Sequence, residues 1–172
     1  MKVNNIGYNH KHDSDFFVLR PNGSGDNLLL LLKTSAVFVL NGEELHTEKG
    51  SFILFSKGTP QDYRSDGGEF ANDWFHFSFD EKEKALFEAL EIPFDKVINI
   101  GDISNLSQLI KSMSFENYSA NLYKTDSVEL YLQLFFIKLS EKLHSTEQIR
   151  ISSCYDKMSI LRAKIYSMPQ ND

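Results

Sequence analysis

Up to residue 80 the apolar positions come in short runs, and beyond it they recur at helical spacing. Residues 16–20, 28–33 and 36–40 are apolar or β-branched stretches separated by PNGSGDN and by Thr34-Ser35, the length and punctuation of strands. Asn41-Gly42, a two-residue hairpin signal, joins 36–40 to a strand at 43–47. Glu48-Lys49-Gly50 turns into 51–55, and Gly58-Thr59-Pro60 turns again toward Tyr63. The glycine-rich SDGGEFAN precedes a last strand at 73–79, where Trp74, His76 and Ser78 alternate with Phe75, Phe77 and Phe79. Strands this short and evenly spaced predict a small barrel or sandwich.

After Asp80 the pattern is helical. Residues 81–90 are charged and amphipathic and stop before Pro93, and residues 102–116 bring Ile103, Leu106, Leu109, Ile110 and Met113 into register. Asp126 with Glu129 gives a capping-box-like start to a helix that runs to about His144. That helix has one apolar stripe of Val128, Tyr131, Leu132, Phe135 and Leu139, and a second of Leu130, Leu134 and Ile137. A helix apolar on two faces is buried on both. One stripe packs on its own domain; Leu130, Leu134 and Ile137 are the expected contact with a second subunit. The polar residues 145–153 read as a linker, and YDKMSILRAKIYSMPQND starts a further amphipathic helix.

The 172 residues are 41% hydrophobic and include 14 Phe, which fits one aromatic-rich folded domain with an appended element. The single Cys154 leaves no disulfide framework and points to a reducing compartment. MKVNNIGYNHKHDSD lacks the apolar centre of a signal peptide, and the longest apolar run, 28–32, is too short to span a bilayer. The expectation is a cytoplasmic protein with no membrane partner. A net charge of −6 makes the chain itself a poor ligand for nucleic-acid phosphates.

The stretch KGSFILFSKGTPQDYRSD resembles the second motif of a cupin barrel, with Gly50 and Gly58 correctly spaced. Ser56 stands where that motif has proline, however, and Gln61 where it has the metal-binding histidine. The His-x-His pair His10 and His12 lies in a polar arm, with no Glu before Glu43. A metal centre needs three or four converging ligands, and the sequence does not assemble them. No nucleophile–base arrangement and no phosphate-binding glycine loop stands out. The chain reads as a non-enzyme without cofactor or metal.

Arg20 ends an apolar strand directly before Pro21, a position that suits a charge facing a polar cavity. Tyr63 follows the Gly-Thr-Pro turn, Trp74 is the one tryptophan, and His76 shares its strand face. A fixed fork of donors beside a phenol and a flat indole suits a small polyhydroxylated ligand. Residue types alone fit a core Trp74 and an Arg20 paired with Asp15 equally well.

The stretch DFFVLRPNGSGDNLLLLLKTSAVFVLNGEELHTEKGSFILFSKGTPQDYRSD, with the closing WFHFSF, resembles the N-terminal sensor domain of AraC-type transcription regulators. The R-P-x-G turn, the P-G-x-x-x-Y type turn and the W-x-H-F segment occur in order, and LRAKIYSMPQND is similar to the first helix leading into that family's DNA-binding domain. Two departures, Ser56-Lys57 before Gly58 and Thr34-Ser35 after 28–33, bear on pocket shape.

The resemblance implies a mainly β plus α fold: a cupin-like (jelly-roll) barrel at 15–80 behind an N-terminal arm at 1–14, then a helical dimerisation region at 81–145. Residues 146–172 would be a linker and the first helix of a DNA-binding domain that lies outside the chain. It also implies a metal-free effector pocket in which Arg20, Tyr63 and Trp74 contact a sugar or similar small molecule. The partners are then the effector, a second copy, and DNA only through the absent domain. The competing readings are a small metal-dependent cupin enzyme, kept open by His10, His12, His46 and His76, and a ligand-free dimerisation module.

Overall fold

A computed structural model describes the backbone of residues 1–166 and the side-chain surroundings of residues 1–145. Nine strands and three helices are found among the described residues, so the mainly β plus α expectation holds. In chain order they are β1 (Lys2–His12), β2 (Phe17–Arg20), β3 (Asn27–Leu32), β4 (Ala36–Leu40), β5 (Glu43–Thr47), β6 (Ser51–Phe55), β7 (Gln61–Ser65) and β8 (Phe70–Ser78). Then follow α1 (Glu81–Leu90), β9 (Ile98–Asn99), α2 (Ser104–Asn117) and α3 (Lys124–Tyr166). One antiparallel sheet has the order β1-β8-β3-β6-β9 and the other β2-β7-β4-β5.

The central strands are apolar at nearly every position because each serves two cores. Side chains alternate across a strand. Leu28, Leu30 and Leu32 of β3 therefore point between the sheets, with Ile53, Phe55, Phe38, Tyr63 and Phe70. Leu29 and Leu31 point the other way, onto a second core with Phe52, Leu54, Phe75 and Phe77. Phe87 of α1, Leu106, Ile110 and Met113 of α2, and Leu132, Phe135, Phe136 and Leu139 of α3 close that second core. Each fully buried Leu or Phe contributes about 1.5–3 kcal/mol.

The β4–β5 hairpin forms as its Asn41-Gly42 turn predicts, both residues taking positive φ (53° and 82°). Helix α1 is fixed by a capping box: the Asp80 carboxylate accepts from the N–H groups of Lys82 and Glu83, and Glu83 accepts from Asp80 N–H in return. Two expectations are corrected. Residues 2–12 are not a free arm but strand β1, paired antiparallel along β8. Residues 145–153 are not a linker, because α3 runs unbroken from Lys124 to Tyr166 and no separate helix begins near residue 155. The rest of the expected DNA-binding element, residues 167–172, lies outside the described residues. No described helix is long and apolar enough to cross a membrane.

Candidate functional site

The four residues expected to line one pocket fall into two groups. Arg20 and Tyr63 belong to the second sheet, where β2 pairs with β7. Arg20 is opposite Gln61 and donates to its Oε1 at 3.1 Å, and Gln61, fully buried, passes a hydrogen bond from Nε2 to Ser24 Oγ at 2.9 Å. The partner of Arg20 is thus Gln61 rather than Asp15. Tyr63 is only 5% exposed, its ring among Phe38, Phe55 and Phe70 with centroids 5.5–6.2 Å away. Burial pushes its phenol up to about 12, against a small opposite pull from the Arg20 charge. Tyr63 is therefore largely a core residue.

Trp74 and His76 sit on the first sheet, on the β8 face turned toward the inter-sheet space. His76 Nδ1 lies 2.7 Å from Asp26 Oδ1, and its ring meets the indole edge-on at 5.6 Å. Burial raises the Asp26 carboxyl, but the hydrogen bonds from Asn4 and His76 outweigh it and hold the group below its ordinary value. The indole of Trp74 crosses over Gly7 of β1, donating from Nε1 to His10 Nδ1 at 3.2 Å. A Cβ on Gly7 would come within 2.5 Å of that ring, so only glycine leaves room for it.

Beyond the indole lies a groove of about 620 Å³ between β1 and α2, well within the size of small-molecule sites. Aromatic rings of Tyr8, Trp74, Phe115 and Tyr118 form its walls. Lys111 enters from α2, its ammonium 5.8 Å from the Tyr8 ring centre, and no carboxylate lines the groove among the described residues. The Tyr118 hydroxyl is committed to Ile6 O at 3.1 Å, whereas Ser114 and His10 offer further polar atoms.

Both walls are anchored to one buried carboxylate. Asp73, 0% exposed, accepts from Asn9 N–H (2.6 Å) at the β1 bulge, from Ser107 Oγ (2.6 Å) on α2, and from Lys33 Nζ (2.7 Å). Lys33 also lies 4.3 Å over the Tyr8 ring. Sequence reading missed Tyr8, Lys111, Phe115 and Asp73, since nothing local marks residues that meet only through the β1–β8 pairing. Of the histidines kept open as metal ligands, His46 pairs with Asp66 at 3.2 Å, and His12 stacks on Phe16 at 4.1 Å. No group of three or more His, Cys, Asp or Glu is arranged to hold a metal among the described residues.

No protein-family model matches the chain, and no curated protein matches it in sequence. Among solved structures it is similar to ToxT from Vibrio cholerae. Apo ToxT K231A from strain SCE256 aligns with TM-score 0.52 and 17% identity, covering 80% of this chain and 55% of that one. ToxT in its P21 crystal form gives TM-score 0.50 and 12% identity, covering 83% and 57%. The chain spans just over half the length of ToxT, and the likeness at these identities is one of fold: antiparallel sheets backed by helices.

Proposed function

We propose that this chain is the effector-sensing part of an AraC-type regulator, and that the effector is a small molecule with an apolar body and a carboxylate, held between β1 and α2. The observation that carries the reading is Lys111, a cation without a carboxylate partner among the described residues, in an aromatic-walled groove. A buried or half-buried cation is stabilised by an anion, and the aromatic walls suit a flat or aliphatic body. The fold supports the family, since ToxT is an AraC-type regulator. ToxT has itself been solved with an unsaturated fatty acid bound. In this reading the two sheets are the flattened counterpart of a cupin-like barrel, and DNA is contacted by a further domain of a longer protein. The exposed stripe of Leu130, Leu134 and Ile137 on α3 meets a second copy.

The polar rim supports a second reading. Arg20, Gln61 and Ser24 form a hydrogen-bonded chain at one end of the inter-sheet space, where a sugar would find fixed donors. Thermal shift and calorimetry with decanoate, palmitoleate, arabinose and galactose separate the two. Stabilisation by a fatty acid, reduced about tenfold in affinity by Lys111→Gln and unchanged by Arg20→Ala, is the expected result. Stabilisation by a sugar alone, lost in Arg20→Ala, would move the site to the rim. Binding of neither class would sink both.

A further inference from the structure

A second cavity, of about 570 Å³, opens on the far side of the helical core from the β1/α2 groove and shares no lining residue with it. Its floor is a cluster of Phe79, Phe87 and Phe94, with ring centres 4.7–6.3 Å apart, closed by Ile92. Phe79 and Phe94 are only half-buried, so the concave surface holds apolar area in contact with water, which an apolar ligand would relieve.

The polar groups around the cavity differ in how far they are already used. Asn27 Oδ1 takes Lys57 N–H at 3.1 Å and its Nδ2 donates to Phe77 O at 3.3 Å. Ser56 donates through N–H and Oγ to Asp95 at 2.8 and 2.7 Å. Glu91 bonds His144 at 2.9 Å. Three charged side chains remain without an ion pair among the described residues: Lys57 from the β6–β7 turn, Lys84 from α1, and Glu88 one turn after Lys84. The lining holds two ammonium groups and two carboxylates; with Glu91 already bonded to His144, Lys57 and Lys84 outnumber Glu88, the one carboxylate left to pair with them, which favours an incoming acid.

We propose that this cavity is a second binding site, for a compact aromatic carboxylate whose ring stacks on Phe79, Phe87 and Phe94 and whose carboxylate lies between Lys57 and Lys84. The proposal is independent of the effector reading. It also touches α3, because the corner that closes the cavity is tied there by Ser140 Oγ donating to Leu90 O at 2.7 Å.

Calorimetry of the whole chain with 2-naphthoate, and crystals grown with 6-bromo-2-naphthoate, test it. Expected are bromine anomalous density over the three phenylalanines, affinity about tenfold weaker in Lys57→Gln/Lys84→Gln, and affinity severalfold stronger in Glu88→Gln. The opposite signs separate a charge effect from general damage, and all three side chains are exposed, so the variants fold. Lys111→Gln should leave this binding unchanged, which distinguishes failure here from failure of the β1/α2 site. Bromine found only beside Trp74, no binding, or equal affinity in the double-lysine variant would overturn the proposal.

Discussion

Tyr63 shows how one side chain serves both a core and a rim. Its ring completes the inter-sheet aromatic cluster, and its hydroxyl feels the charge of Arg20. The raised phenol, from 10.0 to about 12, makes a signed prediction. Below pH 10 both folded and unfolded chains hold the proton and the contribution is complete. As pH rises from 10 toward 12 the unfolded chain gives the proton up and the folded chain keeps it, so stability falls, by about 1.4 kcal/mol per pH unit and about 3 kcal/mol in all. Tyr63→Phe removes that slope. Urea unfolding across this range should show the parent losing stability faster than the variant. Parallel curves would mean that the phenol is not shielded as the packing indicates.

At the scale of elements, Asp73 joins three of them, and its removal tests how the groove is built. Asp73→Ala would leave Lys33, whose side chain is 20% exposed, without its ion-pair partner and would orphan the Asn9 N–H and the Ser107 hydroxyl. Breaking a buried pair from one side costs about 3–5 kcal/mol, and losing the one hydrogen bond to that carboxylate in Ser107→Ala about 1.5–3 kcal/mol. Hydrogen exchange should then quicken first at Asn9 and along β1; uniform quickening would deny the local role. The same strand explains what could be read in advance. β4, β5, β6 and α1 follow from apolar runs, an Asn-Gly turn and the charged, amphipathic spacing of residues 81–90. β1 does not, because shifts between Val3 and Asn5 and between Gly7 and His10 break the two-residue period of Val3, Ile6 and Tyr8. Residues 145–153 read as linker because a polar helix and a polar linker share one composition. Of the four residues expected at one site, Trp74 and His76 lie together on β8, while Arg20 and Tyr63 lie on the other sheet, a separation that strand pairing sets and local sequence does not show.

For the whole molecule, the open question is what covers α3. Its inner stripe, Val128, Leu132, Phe135, Phe136 and Leu139, is buried against the first sheet, yet Leu130, Leu134 and Ile137 remain 65%, 39% and 39% exposed. Spacings of four and three residues put these three on one face. Within the described residues that stripe is left partly in water, and a second copy presenting the same stripe would bury both at once, as a two-fold interface requires. Because the two stripes are distinct, the outer one can be altered without touching the inner core. Leu134→Glu should therefore keep the thermal unfolding midpoint of the folded protomer while sedimentation velocity shifts from dimer to monomer, since a charge at the centre of an apolar interface faces its own symmetry mate. If Leu134→Glu sediments like the parent, the subunits meet elsewhere, and the exposed β2 residues Phe17 and Leu19, at 70% and 62%, become the next surface to alter. If the parent itself is monomeric at every concentration, the stripe is no self-interface, and on the proposed regulator reading a signal from the Asp73-anchored groove would pass within one chain, through α2 into α3.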